Sequence, residues 1–441
     1  MERSKPEFEA DILESLKWLG IEWSEGPFKQ SERLDIYAKY LKKLLADKKA
    51  YHCFCSDEEL EAQRQYRLSQ GQPWRYNGKC SQLSPKEIKK NLAEKKPSII
   101  RFKMRREKIA FEDLIRGKIE FDSSLIGDFS IARNISSPLF NFAVTVDDFE
   151  MRISHVIRAE EHITNTPKQI LIQEALGFPR PQYAHLPLIL APDRSKLSKR
   201  QGATAVSEFK KEGYLPETLV NFIAFLGWNP GGEREIYSMP SLIKEFSFEK
   251  VQKGGAVFNV KRLDFLNGFY IRQKSVEKLT ELCLPYFTQR EVEIAELRSS
   301  HALRSARAFD YLKKIVEIYQ ERLKKLSEIT ELTDFFFKDK LEYDKKLLIW
   351  KQMAEEEVLA TLDTLEKILS RIKIEDWTKE KLEETLIAEA EKMGDRGVLL
   401  WPLRVALTGK EASAAPFEIA EILGKEKTIK RINEAREILK R

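Results

Sequence analysis

A chain of 441 residues with 42% hydrophobic and 33% charged residues is too large for one domain and too apolar to be disordered. Its 76 Lys and Arg residues against 70 Asp and Glu residues give a net charge of +6, which permits an RNA partner without requiring one. No apolar run approaches the ~20 residues of a membrane span, and the N-terminus has no signal-peptide core. We therefore expect a cytoplasmic protein of two to four domains that binds no membrane.

The first part of the chain predicts two helices and then an insertion. The first helix begins with a capping box of Ser4 and Glu7 and ends at Gly20, with apolar residues every three or four positions between them. A second amphipathic helix is predicted around residues 34–45. Polar sequence that contains Gly and Gln follows up to residue 84, and we interpret it as an insertion.

The middle of the chain predicts strands that alternate with helices. Residues 98–104 alternate between polar and apolar side chains, and two short β-rich runs follow at 142–146 and 154–157. A helical pattern comes next at 167–176, so this part is typical of an open α/β sheet. From residue 208 onward the pattern is helical, with predicted helices at 219–226, 275–287, 306–326 and 356–372.

The cysteines indicate a metal site more than disulfide bonds. Cys53, Cys55 and Cys80 lie within 28 positions of one another, and the chain holds four cysteines in all. A structural zinc normally takes four ligands, so the fourth stays open at this point. A metal-free knuckle of three reduced thiols is the alternative. Cys283 lies alone in an apolar helical stretch, where we expect it to be a core residue.

A basic loop at residues 193–202 is the sharpest local signal for phosphate chemistry. Lys196 and Lys199 supply mobile positive charge, while Ser198 and the nearby backbone N–H groups supply donors, so the loop could surround a polyphosphate. The charge that builds up on a leaving pyrophosphate would be stabilised there. A solvated basic turn is the alternative that so short a pattern leaves open.

Arg158 is the second candidate. It ends a β-rich run, which is where open sheets place their ligands, and a planar guanidinium can grip a carboxylate through two hydrogen bonds. The alternative is an ordinary surface ion pair with Glu160 or Glu161.

Several motifs resemble those of one enzyme family. Residues 196–200, Lys-Leu-Ser-Lys-Arg, resemble the KMSKS signature of bacterial-type glutamyl-tRNA synthetases, which are class I aminoacyl-tRNA synthetases. Residues 155–162 and 165–167 resemble the block that precedes this loop in the family. Residues 402–409 resemble a block of its helical anticodon-binding domain, whereas glutaminyl-tRNA synthetases have a β-barrel type of anticodon region.

The resemblance implies a ligase that attaches glutamate to tRNA(Glu) through glutamyl-adenylate, with ATP and Mg²⁺, in translation. The residues implied in binding ATP are Lys196, Leu197, Ser198, Lys199 and Arg200, and those implied in catalysis are Lys196, Ser198 and Lys199. The residues implied in binding glutamate are Arg158, Glu161 and Phe140. The family often carries a structural zinc, for which this chain offers Cys53, Cys55, Cys80 and, as the fourth ligand, Tyr76 or less directly His52.

The resemblance also implies the fold class and the domain order. We expect an α/β Rossmann-like class I catalytic domain, then mostly α-helical stem-contact and anticodon-binding domains, in a monomer. The catalytic domain is predicted at 1–45 and 134–190, and an acceptor-stem-binding insertion at 46–133. The KLSKR loop and stem-contact region are predicted at 191–290, and the helical anticodon-binding domain at 291–441.

Two departures from the family qualify these expectations. The first residues of the chain match the place just after the HIGH signature of the family, so we expect a catalytic domain that is N-terminally incomplete and a chain that could be inactive as written. Phe140 stands where the family usually has Tyr, so one hydroxyl is lost near the expected glutamate pocket. A truncated, non-catalytic paralogue that binds tRNA is therefore the alternative function.

Overall fold

The computed structural model describes residues 5–105, 107–197, 205–289 and 306–440. The chain divides into two compact units. The first, which we call the sheet unit, comprises Ile21–Gln201 and Ile223–Phe258. The second, the helical unit, comprises Met1–Gly20, Gly202–Phe222 and Asn259–Arg441.

Helices and strands are numbered in chain order. The helices are α1 (Pro6–Trp18), α2 (Leu34–Ala46), α3 (Asp57–Ser69), α4 (Pro85–Ala93), α5 (Phe140–Glu150), α6 (Thr166–Leu176), α7 (Val206–Glu212), α8 (Pro216–Ala224), α9 (Met239–Glu245), α10 (Val260–Arg272), α11 (Val276–Gln289), α12 (Ala306–Tyr319), α13 (Glu328–Thr333), α14 (Glu355–Arg371), α15 (Lys379–Lys392), α16 (Arg396–Thr408), α17 (Pro416–Leu423) and α18 (Lys425–Leu439). The strands are β1 (Ala50–Cys53), β2 (Ile99–Phe102), β3 (Lys108–Asp113), β4 (Gly117–Asp122), β5 (Phe129–Asn134), β6 (Ser137–Pro138), β7 (His155–Ala159), β8 (Gln182–Leu186), β9 (Ile189–Leu190) and β10 (Ala256–Val257).

The sheet unit contains two four-stranded sheets and one short strand pair. The first sheet has the order β1-β2-β5-β6 and is antiparallel. The second has the order β4-β3-β8-β7, in which β3, β8 and β7 run parallel while β4 pairs antiparallel with β3. This second sheet crosses the predicted boundary at residue 133, because β3 and β4 lie within the predicted insertion and yet share a sheet with β7 and β8.

The core of the sheet unit forms where α2, α5 and α6 cover the strands. β3 alternates between exposed and buried positions, so that Ile109 and Phe111 point into this core. A buried polar contact joins α2 to α5: Asp147 accepts hydrogen bonds from the hydroxyl of Tyr37 at 2.8 Å and from Nε of Arg33 at 2.9 Å. Paired in this way, the carboxylate lies buried without an unsatisfied charge.

The helical unit has its own core, formed mainly by α10 to α18. Arg431 lies in it with 1% of its surface exposed, and its guanidinium donates to the carbonyl oxygens of Leu407 and Phe335 at 2.5 Å each. The described residues from 306 to 440 form helices and no strand, in agreement with the predicted helical domain. In the described part of the chain, every helix is too short or too polar to cross a lipid bilayer.

Most predicted elements are present, but the strand predicted at 142–146 is wrong, α12 ends at Tyr319 rather than at residue 326, and the short strand β10 lies in the part predicted to be helical. Residues 142–146 were expected to form a strand, and they form the middle of α5. The run is only five residues long, and its buried residues Phe142, Ala143 and Val146 suit a helical period as well as a strand. The predicted capping residue Ser4 lies outside the described residues, and Lys5 is the N-cap of α1.

Gly213 ends α7 in a left-handed conformation with φ of 90°. A Cβ atom there would lie 2.5 Å from the backbone nitrogen of Ser327 and 2.6 Å from that of Leu326. Gly213→Ala is therefore expected to lower the free energy of unfolding of the helical unit by about 2–4 kcal/mol, the sum of left-handed strain and steric overlap.

Gly394→Ala is the matched control, because Gly394 has φ of 78° but a Cβ atom there would meet no other atom within 4 Å. We expect it to cost only the strain, about 1–2 kcal/mol. Urea unfolding followed by circular dichroism measures both variants. Equal losses of stability would contradict the steric account of Gly213.

Candidate functional site

Arg158, which is predicted to bind substrate, lies near the carboxyl end of β7, beside the neighbouring strand β8. β7 and β8 pair in parallel, and their register places Arg158 beside His185. β7 leads into a short 3-10 helix, Glu160–Asn165, and then into α6. Because open sheets bind ligands at the carboxyl ends of their strands, this edge is where a substrate site is expected.

Arg158 is held by three polar neighbours. Its Nε donates to Nε2 of His185 at 3.3 Å, and its Nη2 donates to Oγ1 of Thr166 at 2.8 Å and Oε1 of Gln169 at 2.9 Å. Burial lowers the pKa of Arg158, but a guanidinium keeps its charge at neutral pH. None of the described residues accepts a hydrogen bond from Nη1, so this nitrogen is free to bind a ligand carboxylate.

The surface ion pair considered as the alternative for Arg158 is absent from the described residues. The carboxylate of Glu160 pairs with Arg116 instead. The carboxylate of Glu161 pairs with Lys196. Both acids are thus engaged elsewhere, and the positive charge of Arg158 stays available at the strand end.

The ion pair of Lys196 and Glu161 connects the basic loop to this edge. Their side chains are 62% and 45% exposed, and the hydrogen bond and charge of Lys196 lower the pKa of Glu161. An exposed pair of this kind contributes little stability, so a competing anion could displace Glu161 from Lys196 at small cost. Leu197 is described as well, and the rest of the predicted ATP-binding sequence lies outside the described residues: Ser198, Lys199 and Arg200.

Phe140 lies at the same edge. It is the first residue of α5 and is 51% exposed, and its ring centroid lies 5.6 Å from that of His162. The next residue, Asn141, accepts a hydrogen bond from Nε2 of Gln169 at 3.1 Å, and Gln169 in turn holds Arg158. The structure therefore brings Phe140, Arg158 and, through its loop contact, Lys196 to one region of the sheet unit.

Asp148 on α5 is an acidic neighbour of this region to which the sequence analysis gave no role. Burial raises the pKa of Asp148 to about 6, the charge of Arg158 opposes that shift, and Asp147 adds to it. The Asp148 carboxylate in turn helps to keep Arg158 charged, against the effect of burial.

The predicted metal ligands form a second cluster, next to β1. The Sγ atoms of Cys53, Cys55 and Cys80 all lie within 4.8 Å of one another. The hydroxyl of Tyr76 lies 3.4 Å from Sγ of Cys53 and 3.3 Å from Sγ of Cys55. Three thiols and a phenol converge there. The three thiols are ligands of the type that a structural zinc takes, and the phenol would bring the number of ligands to four.

Comparison with known proteins supports one family throughout the chain. Residues 1–265 match the family model of tRNA synthetases class I (E and Q), catalytic domain, and residues 278–436 match that of the anticodon binding domain. The chain is 45% identical over 438 residues to glutamate–tRNA ligase 1 of Caldanaerobacter subterraneus subsp. tengcongensis, and the aligned region covers 99% of this chain and 88% of that relative. It is 40% identical over 449 residues to the glutamate–tRNA ligase of Desulforamulus reducens, with 99% and 90% covered. This chain belongs to the bacterial-type glutamate–tRNA ligase family.

Solved structures of the glutamate–tRNA ligase family agree with this membership. The crystal structure of a glutamate tRNA ligase from Elizabethkingia meningosepticum in complex with its amino acid aligns with a TM-score of 0.82 at 32% identity, over 99% of this chain and 90% of that chain. Family membership confirms the resemblance drawn from the KLSKR sequence and residues 155–162, together with the predicted fold class. The expected lack of a HIGH-containing segment stays a prediction, and so do the domain boundaries.

Sequence analysis did not assign roles to the polar residues that hold Arg158 in this ligase fold. Thr166, Gln169 and His185 are all buried, with at most 1% of their surface exposed. The available signal was the presence of polar residues inside apolar segments, since a buried polar side chain needs a hydrogen-bond partner. For His185, identifying Arg158 as the partner requires the pairing of β7 with β8, which the sequence does not display.

Asp148→Asn is expected to make the protein more stable at neutral pH. The pKa of Asp148 in the folded protein, about 6, exceeds the ~3.9 of an unfolded chain, so the native state binds more protons between pH 4 and pH 6. Stability therefore falls as the pH rises through that window, and the loss persists above it. The variant is expected to avoid this loss and to gain about 1 kcal/mol at pH 7.5 but little at pH 4.5.

Urea unfolding at the two pH values measures this gain. Glu25→Gln is the control, since it removes an exposed acid of the same unit and should give no pH-dependent gain. A stability difference between wild type and Asp148→Asn that does not change with pH would contradict the raised pKa.

Proposed function

We propose that this chain attaches glutamate to tRNA(Glu) at the expense of ATP. The observation that carries the proposal is the half-buried cation of Arg158, held at a parallel strand end with no acceptor for Nη1 among the described residues, in a chain whose relatives are named glutamate–tRNA ligases. Glutamate carries two carboxylates, and a fixed guanidinium is a suitable partner for one of them.

The first chemical step forms glutamyl-adenylate. The α-carboxylate of glutamate attacks the α-phosphorus of ATP, the bond to the β-phosphate oxygen breaks, and pyrophosphate leaves. In the proposed roles, Arg158 holds a carboxylate of glutamate and Phe140 borders the pocket. Mg²⁺ shares the phosphate charge, and the residues that contact ATP are Lys196, Leu197, Ser198, Lys199 and Arg200.

Glu161 has a proposed part in both substrate sites. It belongs to the strand-end block beside Arg158 and its carboxylate pairs with Lys196. ATP phosphates compete with that carboxylate for Lys196, so ATP binding would release Glu161 toward the glutamate site. Lys196, Ser198 and Lys199 then stabilise the charge on the departing pyrophosphate.

The second step transfers the activated glutamate to tRNA. A terminal ribose hydroxyl attacks the carbonyl carbon of the mixed anhydride, an ester forms, and AMP leaves. The match of residues 278–436 to an anticodon binding domain supports tRNA as the partner of the helical unit. The proposal includes a cytoplasmic site of action, where translation takes place, and a monomer as the working form.

We propose further that Cys53, Cys55, Cys80 and Tyr76 hold one structural Zn²⁺. Three thiolates give a bound zinc a net negative charge, and the guanidinium of Arg101, centred 4.3 Å from the Tyr76 ring, would offset it. His52 is the less suitable fourth ligand. Among the described residues, the group whose ligand atoms converge consists of Cys53, Cys55 and Cys80, and His52 is not part of it.

The role of the KLSKR loop is tested by Lys199→Ala. We expect adenylate formation to fall by about 100-fold, because a cation that stabilises the departing pyrophosphate is lost. Pyrophosphate exchange and charging of tRNA(Glu) with labelled glutamate measure it, and Lys211→Ala, which removes an exposed lysine of α7, should change neither.

An unchanged rate in Lys199→Ala would remove the loop from the mechanism. Absence of charging by the wild-type chain, together with tighter binding of tRNA(Glu) than of unrelated tRNA at matched salt, would contradict the ligase proposal. It would support a protein that only binds tRNA.

The zinc proposal predicts about one Zn²⁺ per chain by elemental analysis of protein purified without added metal. Cys80→Ser should lose the metal and lower the melting temperature, because a ligand at a buried site is removed. Cys283→Ser is the matched control: Cys283 is buried in the core of the helical unit and is not part of the cysteine cluster, so its replacement should leave the zinc content unchanged. Wild-type protein without zinc would favour the metal-free knuckle.

A further inference from the structure

A buried acid–histidine pair lies behind Arg158. Asp113 ends β3 and His185 lies on β8, and they are 3% and 0% exposed. The distance from Nδ1 of His185 to Oδ2 of Asp113 is 2.6 Å. Oδ1 of Asp113 accepts the backbone N–H groups of Ile115 at 3.0 Å and Arg116 at 2.9 Å. Burial alone would raise the pKa of Asp113, but the hydrogen bonds from His185 and these N–H groups lower it, so Asp113 is a carboxylate.

The opposite side of the same ring faces Arg158. Nε2 of His185 lies 3.3 Å from Nε of Arg158 and 3.2 Å from Oγ1 of Thr166. An arginine can only donate hydrogen bonds, so Nε2 has to accept, and the single proton of a neutral imidazole lies on Nδ1. Nδ1–H donates a hydrogen bond to the carboxylate of Asp113. The carboxylate of Asp113 therefore selects the tautomer that Arg158 requires.

This arrangement determines which part of the guanidinium a ligand can reach. Nε is bound by His185, and Nη2 is bound by Thr166 and Gln169. Within the described chain, the two N–H groups of Nη1 are the donors left over. If His185 had its proton on Nε2, two donors would face each other at 3.3 Å, and Arg158 would have to rotate.

We infer that Asp113 and His185 are positioning residues for glutamate: through the tautomer of His185 they fix the guanidinium of Arg158 with Nη1 directed to the substrate. This inference rests on the proposed function, because it takes Arg158 as the residue that binds glutamate. If His185 only joined β3 to β8, it would need its hydrogen bond to Asp113 but not the hydrogen bond that Nε2 accepts from Arg158. We call this second possibility a structural tie.

Two substitutions of His185 separate these roles. The amide of Gln reaches the position of Nε2 and can accept from Arg158, whereas the shorter Asn reaches the position of Nδ1 and can donate to Asp113. Positioning predicts that His185→Gln keeps KM for glutamate within about threefold, while His185→Asn raises it about tenfold or more. KM for ATP and for tRNA(Glu) should stay unchanged in both variants. A structural tie predicts the reverse order, with His185→Asn the better enzyme.

Asp113→Asn provides the second test. Oδ1 stays with the N–H groups of Ile115 and Arg116, and it also lies within 3.3 Å of the backbone nitrogen of His185, whose N–H it can accept. The new NH2 group therefore faces Nδ1 of His185, which must then accept. The proton moves to Nε2 and opposes Arg158, and KM for glutamate should rise about tenfold with little change in kcat. In the His185→Gln background, Asp113→Asn should have little further effect on this KM.

Nitrogen-15 NMR of selectively labelled histidine reads the tautomer without any enzymatic assay. The chain has five histidines, and the His185 signals are those that His185→Gln removes. Wild type should show Nδ1 protonated and Nε2 unprotonated, and Asp113→Asn the opposite. A wild-type proton on Nε2 overturns the inference, as does an inverted tautomer with unchanged KM for glutamate. A wild type that shows the expected tautomer but charges no tRNA refutes the proposed function and not the tautomer assignment.

Discussion

The carboxylate of Asp113 lies at the end of β3, with 3% of its surface exposed, and most of the candidate site depends on it. It accepts hydrogen bonds from the backbone of the β3–β4 turn, from the backbone N–H of His185 at 3.1 Å and from the His185 ring at 2.6 Å. A buried negative charge is costly unless such donors surround it. The same contacts join β3 to β8 and orient the imidazole toward Arg158, so fold and site share one constraint.

The charged groups around Arg158 are arranged so that its positive charge is kept. Arg158 is half-buried among neutral acceptors, and the nearby carboxylate of Asp148 helps to keep it charged against burial. The acids on the 3-10 helix, Glu160 and Glu161, pair with Arg116 and Lys196 and so do not neutralise Arg158. The result is a fixed cation whose Nη1 has no acceptor in the part of the chain that the structure describes, and its partners need little reorganisation when a carboxylate binds.

Sequence reasoning worked where one segment determines its own structure. The predicted helix at 167–176 is observed as Thr166–Leu176, because its ends carry the turn signals of a helix. The strand predicted at 142–146 is wrong, because a pattern of five residues does not distinguish a buried helix from a strand. The motif residues Arg158 and Lys196 could be selected from the sequence. The role of Asp113 could not be predicted from the sequence. Asp113 and His185 are 72 positions apart, and the pairing of β3 with β8 brings them into contact.

The central claim is that Nη1 of Arg158 binds a carboxylate of glutamate. A crystal structure of this chain soaked with glutamate tests it most directly. The account predicts a carboxylate oxygen within about 3 Å of Nη1, with Nε still on His185 and Nη2 still on Thr166 and Gln169. Glutamate bound elsewhere, or bound at this edge with both carboxylates away from Arg158, would contradict it.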